Sequence, residues 1–430
     1  MASVLIRGFL VKRMLLLIPS LIVMLFVACD NPTASNDNSN IGGDVPPAPI
    51  ISGSLSITSN DGTRVRARQV NWAGISYSSL SAQLRYEVAI GFDSASNGFD
   101  SGDVNNIVDW KEIPNGLAIT SYQITDGIDG FALILKSATD YYFSIRAVDT
   151  NSKVSNIIST GGWQTLDVPL WYTSTANWLD ASDTATLFQN AACTTPATNN
   201  GDPIGCWGDK SGSGTDALDS PEAAPVNIAA DINGLNTIDF TGAEGLLIAN
   251  NVALNSLNGF SLFVLMKHDG NAAAQCIYRS RPNGALGSQS GLSFEMSANS
   301  YQNTIYEDNA GNSLNMSALG TVPAATTLFN FRFSNGGTPF QILEDGTDTG
   351  LVPNSTTGGN PSGAVTSDGL SVGYNKWDGA RNFRGQIGEI IFFTEDLADA
   401  DEQIIEGYLA CKWGTQGNLP IAHPYKTDCP

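Results

Sequence analysis

The chain has 430 residues, 42% of them hydrophobic and 15% charged, with 42 acidic residues against 21 basic ones and a formal net charge of −21. A surface this acidic repels phosphate backbones, which argues against nucleic acid as a partner; it suits a solvated outer surface and, secondarily, cation binding. Length does not limit the core, since it allows two or three domains at about 100–200 residues each.

The N-terminus carries Arg7, Lys12 and Arg13 and no acid, then an apolar run from Met14 to Ala28, then Cys29 followed by Asp30 and Asn31. This is the charge and hydropathy order of a secretory signal. The run is shorter than the ~20 apolar residues a bilayer span needs and contains Pro19, which argues against a membrane helix. Leu25-Phe26-Val27-Ala28-Cys29 resembles the lipobox of bacterial lipoproteins, with Phe26 where Leu is usual. The resemblance implies removal of residues 1–28 as a signal peptide and acylation (diacylglycerol, palmitate) of Cys29. The mature chain is then expected in the bacterial cell envelope, lipid-anchored at the outer membrane, the cell surface or the periplasmic face of the inner membrane. Residues 29–49 are Asn, Ser, Asp, Gly and Pro without an aromatic, too polar to fold, and read as a flexible linker with a reach of roughly 25 Å.

From 50 to 167 the pattern is one of alternating strands between Gly, Asn, Asp and Ser clusters. The clearest are Val70 to Trp72, Leu84 to Ile90, Tyr122 to Ile124 and Tyr141 to Val148, the last with Tyr141, Phe143, Ile145 and Ala147 on one face. Leu135 to Asp149 resembles the corner between the fifth and sixth strands of a fibronectin type III domain. Tyr141 takes the tyrosine-corner position and Leu135 the leucine before it, and Trp72 fits the core tryptophan. The resemblance implies a two-sheet sandwich used for spacing or adhesion. Asp93, Asn97, Asp100, Asp103 and Asn106 crowd one loop of this stretch and are read as a solvated turn, with Ca2+ as the competing use.

From 168 to 430 there is a longer all-β pattern. Candidate strands are Thr237 to Phe240, Phe260 to Met266, Ser293 to Met296, Leu328 to Phe333, Phe340 to Leu343, Leu370 to Gly373 and Ile387 to Phe393. Glu344-Asp345-Gly346 reads as a hairpin turn. One helix is expected near the end: Asp399 and Glu402 form a capping box, Ile404, Ile405, Tyr408 and Leu409 share one face, and Gly414 follows the last turn.

Cys193 with Cys206, and Cys411 with Cys429, bracket short segments and are expected to form two disulfides in an oxidising compartment. Zinc is the competing use, but no C-x2-C pair occurs and only His268 and His423 could assist. Cys276 reads as a buried thiol.

Five blocks in this region resemble bacterial concanavalin A-like, LamG-like jelly-roll domains: Trp178 to Asp183, Gly205 to Gly212, Asn233 to Gly242, Gly385 to Ile390, and Glu406 to Gly414 with His423 to Lys426. The resemblance implies two curved antiparallel sheets with a binding surface on loops or on the concave face. The expected fold class is therefore all-β: a fibronectin type III-like sandwich followed by a concanavalin A-like jelly-roll sandwich with one short C-terminal helix.

Polysaccharide cleavage needs two converging carboxylates, and the E-x-D-x-x-E run that would place them on one strand face is absent. Glu295 has no partner in its strand, and Glu307 and Asp308 face opposite ways. No catalytic residue is assigned, and the chain is expected to be non-enzymatic, binding carbohydrate or a protein surface in adhesion or recognition. The alternative is a glycoside hydrolase or lyase of the same superfamily, acting through Glu295 or Glu389. For a sugar the residues to watch are Tyr374, Asn375, Trp377, Asp378 and Arg381, which offer rings, amides and charges in one loop; the competing and slightly favoured reading is an ordinary loop with Trp377 folded back into the core. Asp180, Asp183 and Asp209 read as turn caps, with Ca2+ ligation as the competing use; no other cofactor is implied. Trp178, Trp207 and Trp413 read as packing.

Overall fold

The structure, a computed structural model, describes 51–53, 56–59, 68–71, 76–77, 85–91, 106–112, 121–124, 140–149, 151–160 and 163–164, and then 167–430 apart from 221–222, 249–256, 272, 281–289, 298–299, 320–322, 336–339, 352–354, 358, 362–364, 366–368 and 377–380. Cys29, the linker, Trp72, Leu135, Trp377 and Asp378 lie outside the described residues. Among those described, no helix is long and apolar enough to cross a membrane.

The protein is all-β with a single α-helix among the described residues. In the N-terminal part, Ser56–Ser59, Arg68–Asn71 and Ser121–Ile124 form one antiparallel sheet. Asn106–Glu112, Arg85–Gly91, Asp140–Val148 and Trp163–Gln164 lie side by side in another, with Ile158–Ser159 also paired to Asp140–Val148. The alternation read from the sequence decides the burial: Tyr141, Phe143, Ile145 and Ala147 are all buried. On the other face Arg146 donates to Glu87 Oε2 at 2.7 Å and stacks 4.2 Å above the Trp110 ring.

From Val168 onward two large antiparallel sheets face each other. One has eight strands, ordered Val226–Ile232, Leu235–Thr241, Arg384–Phe393, Gly259–His268, Thr326–Ser334, Phe340–Glu344 and Thr347–Asp348, with Thr175–Asp180 on the flank of Arg384–Phe393. The turn between Phe340–Glu344 and Thr347–Asp348 is the expected one: Asp345 and Gly346 have φ of 46° and 74°, the two-residue geometry that matches strand twist. The second sheet has ten strands; its central members are Leu246–Ile248, Leu370–Val372, Gln275–Arg279, Gly291–Ser297, Ser300–Glu307 and Ser313–Leu319.

The core between the sheets is mostly aromatic. Phe260 contacts Tyr306, Phe333, Phe340 and Phe392 at centroid distances of 5.2–6.5 Å. Both faces of Gly259–His268 are buried, because Leu262 and Val264 point inward while Phe263 and Leu265 point to the helix. That explains its near-continuous apolar sequence.

The helix, Asp399–Trp413, lies against the outer face of the eight-stranded sheet through Ile404, Ile405, Tyr408, Leu409 and Trp413. Its C-cap is Gly414 at φ 70°, as its position after the apolar stripe requires. Its start differs from expectation. The N-cap is Ala398, so Asp399 and Glu402 form no capping box. Both side chains instead turn to Arg332 of the sheet, at 2.9 and 3.0 Å, and leave the first-turn N–H groups.

Candidate functional site

The face of the ten-stranded sheet turned away from the core is polar along its central strands, and those polar residues are themselves buried: Ser293, Glu295 and Ser371 are 0% exposed and Arg279 2%. Gly291–Ser297 sends Leu292, Phe294 and Met296 into the core and Ser293, Glu295 and Ser297 outward. Register carries the same side through the neighbours: Ser371 pairs Arg279, Arg279 pairs Ser293, Ser293 pairs Ile305, and Ile305 pairs Asn315. One row of residues thus crosses five strands, and all but Ile305 are polar.

Glu295 is the charged centre of this face. It is fully buried and held between two guanidinium groups, Arg279 from the adjacent strand and Arg381 at 3.1 Å from the loop before Arg384–Phe393. Ser293 Oγ donates to the same carboxylate at 3.1 Å. The loop is pinched at its base, where Gly373 N–H donates to Ile277 O at 2.9 Å and Phe383 N–H to Gly373 O at 2.7 Å. Cys276 N–H donates to Arg381 O at 2.6 Å, which lays the loop's last residues along the sheet. Arg381 takes φ 66°, a left-handed conformation that costs a non-glycine residue about 1–3 kcal/mol. Its side chain remains 38% exposed, so one side of the Glu295 pair reaches solvent.

Among the described residues, four buried polar atoms on this sheet and the loop lying on it have no hydrogen-bond partner: Trp207 Nε1, Ser313 Oγ, Asn315 Oδ1 and Asn382 Oδ1. Asn382 bridges to Cys276, and Cys276 pairs Glu295, so its orphan oxygen belongs to the same neighbourhood. A buried polar group without a partner costs about 1–3 kcal/mol, which a ligand hydroxyl or water would recover.

Of the loop residues singled out from the sequence, Arg381 alone is both described and accessible. Tyr374 and Asn375 are 2% and 0% exposed, a correction to their reading as ligand contacts. The Tyr374 ring packs where Gly245 leaves room for it, so it braces the loop and offers no stacking surface. Arg279 was missed because nothing within its own strand pairs it with Glu295; only the register does.

Asp180, Asp183 and Asp209 all cap turns, the first of the two readings: Asp180 Oδ1 accepts the Ser182 N–H at 3.0 Å and Asp183 Oδ1 the Ala185 N–H at 3.2 Å. Lysines pair with two of them. Asp180 accepts from Lys412 at 2.8 Å and Lys210 at 2.9 Å, and Asp183 lies 3.0 Å from Lys210. Asp209 caps a turn, accepting from the N–H groups of Trp178, Ser211 and Thr215 at 2.9–3.1 Å.

Glu389, beside them, is fully buried and accepts from Trp178 Nε1, Trp413 Nε1, Tyr408 OH and Lys412 Nζ at 2.7–3.1 Å. Burial raises its pKa against the pull of Lys412. Burial acts the same way on Asp180, but there Lys412 and Lys210 win and the pKa falls. With every acceptor occupied and no opening to solvent, Glu389 clamps the helix to the sheet and is a poor candidate for catalysis.

Both expected disulfides are present, Cys193–Cys206 and Cys411–Cys429, with Cα separations of 5.5 and 5.8 Å. Cys276 is a buried free thiol. Among the described residues, the sole trio with metal-ligand proximity is Cys193, Cys206 and Asp216, whose sulfurs are already bonded to each other.

No protein-family model matches the chain, and no curated protein does either. Solved structures similar to it include a Trypanosoma rangeli sialidase, at 11% identity and TM-score 0.37, covering 64% of this chain and 43% of that one. A GH54 α-L-arabinofuranosidase matches at 12% identity and TM-score 0.36, covering 56% and 61%. The binding domain of botulinum neurotoxin serotype D matches at 13% identity and TM-score 0.34, covering 54% and 50%. The chain thus spans about two fifths to three fifths of their length, and the likeness is one of β-sandwich fold alone. Several of these similar structures are glycoside hydrolases, against the non-enzymatic expectation drawn from the absent carboxylate run, and that expectation does not stand.

Proposed function

We propose that the chain is a cell-envelope lipoprotein that engages a carbohydrate on the polar face of its ten-stranded sheet. The observation that carries the reading is the buried Glu295 held between Arg279 and Arg381, with the unpartnered Asn382 Oδ1 beside it. A sugar presents paired hydroxyls that donate and accept at once, which suits a fixed carboxylate, an accessible guanidinium and amide oxygens together. Anchoring rests on the lipobox-like Leu25 to Cys29, and residues 50–167 would act as a fibronectin type III-like spacer between anchor and jelly roll.

The test uses the mature chain from Cys29 with a polysaccharide and glycan panel, reading both retention and released reducing ends. At least one glycan is expected to bind, with affinity about tenfold or more weaker for Arg381→Ala, the usual size of a lost charge-assisted hydrogen bond. Reducing ends that appear with that glycan and vanish in Glu295→Gln would make the ligand a substrate. Retention of no glycan, or equal binding by Arg381→Ala, overturns the reading. Mass spectrometry of the N-terminal peptide tests the anchor, which requires acyl chains on Cys29.

A further inference from the structure

A second concave site lies on the opposite side of the jelly roll, under the helix. Thr326–Ser334 turns Phe329, Phe331 and Phe333 to the core and Arg332 and Ser334 the other way; Phe340–Glu344 likewise turns Gln341 and Leu343 outward. The first two turns of the helix run beside them and present Asp399, Glu402, Gln403 and Glu406, spaced to share one helical face. The elements enclose a cavity of about 480 Å3.

Its charge is unbalanced. Asp348, Asp396, Asp399, Glu402 and Glu406 line it against the single base Arg332. That guanidinium is already spent, on Asp396 and Asp399 at 2.9 Å and Glu402 at 3.0 Å. Asp348 accepts from Gln341 Nε2 at 3.1 Å and from Gly350 N–H at 2.9 Å, both neutral. Glu406 is 1% exposed, and its Oε1 has no hydrogen-bond partner. Its other oxygen faces His423 Nε2 at 3.1 Å, while His423 Nδ1 accepts the Tyr425 N–H at 3.2 Å. A ring that accepts at Nδ1 brings Glu406 a hydrogen bond and no formal charge. A buried carboxylate with an open oxygen, lining a cavity with excess negative charge, calls for a cationic donor.

The kind of cation follows from the spacing. A bare metal ion needs several oxygens converging at about 2.3–2.6 Å, and no three acidic groups of this cavity come close enough to one another to supply them. An ammonium group on a carbon body donates to separated acceptors and fills the remaining volume, with Ser334, Gln341 and Gln403 left to meet its hydroxyls.

We propose that this cavity binds an organic ammonium ion, with Glu406 as its deep acceptor and Asp348 at its rim. The site is independent of the sheet face assigned above. Calorimetry on the mature chain with glucosamine, N-acetylglucosamine, putrescine and CaCl2 tests it. Glucosamine is expected to bind, N-acetylglucosamine about tenfold or more weakly because acetylation removes the charge, and Glu406→Gln and Asp348→Asn each to weaken glucosamine by about tenfold. Asp348→Asn sits at an exposed position and keeps the proposal testable if Glu406→Gln fails to fold. Glu295→Gln, on the other sheet, should leave this binding unchanged. Putrescine binding as tightly as glucosamine also supports the site and assigns recognition to charge alone. Equal binding of glucosamine and its acetylated form, no binding of either amine, or Ca2+ binding lost in Glu406→Gln overturns it.

Discussion

Lys412→Met is the sharpest test of how the helix is held. Lys412 Nζ lies 2.8 Å from both Asp180 Oδ1 and Glu389 Oε2, two carboxylates buried under the helix, and Lys210 is the one other cation beside them among the described residues. Removing the shared cation leaves an uncompensated buried charge, a loss of about 3–5 kcal/mol. At roughly 2–4 °C per kcal/mol for a domain of this size, the melting temperature at pH 7 should fall by about 10 °C. Glu389 offers relief, because its pKa already stands above the ordinary 4.5 and climbs further without Lys412. A raised carboxyl pKa means stability present at low pH and lost as pH rises from the unfolded value toward the folded one. The gap between variant and wild type should therefore be smaller at pH 5 than at pH 7, measured by thermal and urea melts. Adding Glu389→Gln should restore part of the loss, with a coupling of about 1 kcal/mol or more. A loss under about 0.5 kcal/mol at pH 7, or a gap that widens on acidification, refutes the clamp.

Three further outcomes follow from named contacts. Burial, opposed by Arg332, pushes the Glu402 pKa up to about 8, so wild-type stability should decline between pH 4.5 and 8 and Glu402→Gln should flatten that decline and melt higher at pH 9. Replacing both Cys193 and Cys206 by Ala opens a crosslink of sequence separation 13 and should cost about 3 kcal/mol in urea unfolding, a difference that disappears when both proteins are melted under reducing conditions that open this bond. A methyl on Gly388 would sit 2.9 Å from Leu265 and Trp413 side-chain atoms, so Gly388→Ala should overpack the helix interface by about 1–3 kcal/mol while leaving the N-terminal sheets' spectroscopic signals intact.

Strand positions were legible wherever apolar and polar residues alternate, as in Asp140–Val148 and Gly291–Ser297, because a period of two is local information. The helix was legible from Ile404, Ile405, Tyr408 and Leu409, but its first turn was misread. Asp399 and Glu402 have the spacing of a capping box, and their actual partner, Arg332, lies in a strand 67 and 70 residues earlier. The Glu295 site shared this difficulty. Glu295 looked isolated in its strand because Arg279 and Arg381 reach it across register and from a remote loop, with Arg381 separated by 86 residues. Turn capping by Asp180, Asp183 and Asp209 was legible because it is local, but Lys210 and Lys412 left no mark beside Asp180 in the chain, and Ca2+ stood as the competing use. Long-range ion pairing decides what a carboxylate is for, and local pattern does not report it.

The strand Arg384–Phe393 sits mid-sheet, with Gly259–His268 on one flank and both Leu235–Thr241 and Thr175–Asp180 on the other. Trp178 must wait for Glu389, 211 residues downstream, before its indole has a partner. A chain that emerges from the ribosome N-terminus first therefore cannot zip this sheet until nearly all of it has been made. Closure by such distant pairings is slow, and the waiting strands expose apolar edges meanwhile. That delay makes assembly of the jelly roll the step of its folding at which a holding chaperone is most needed.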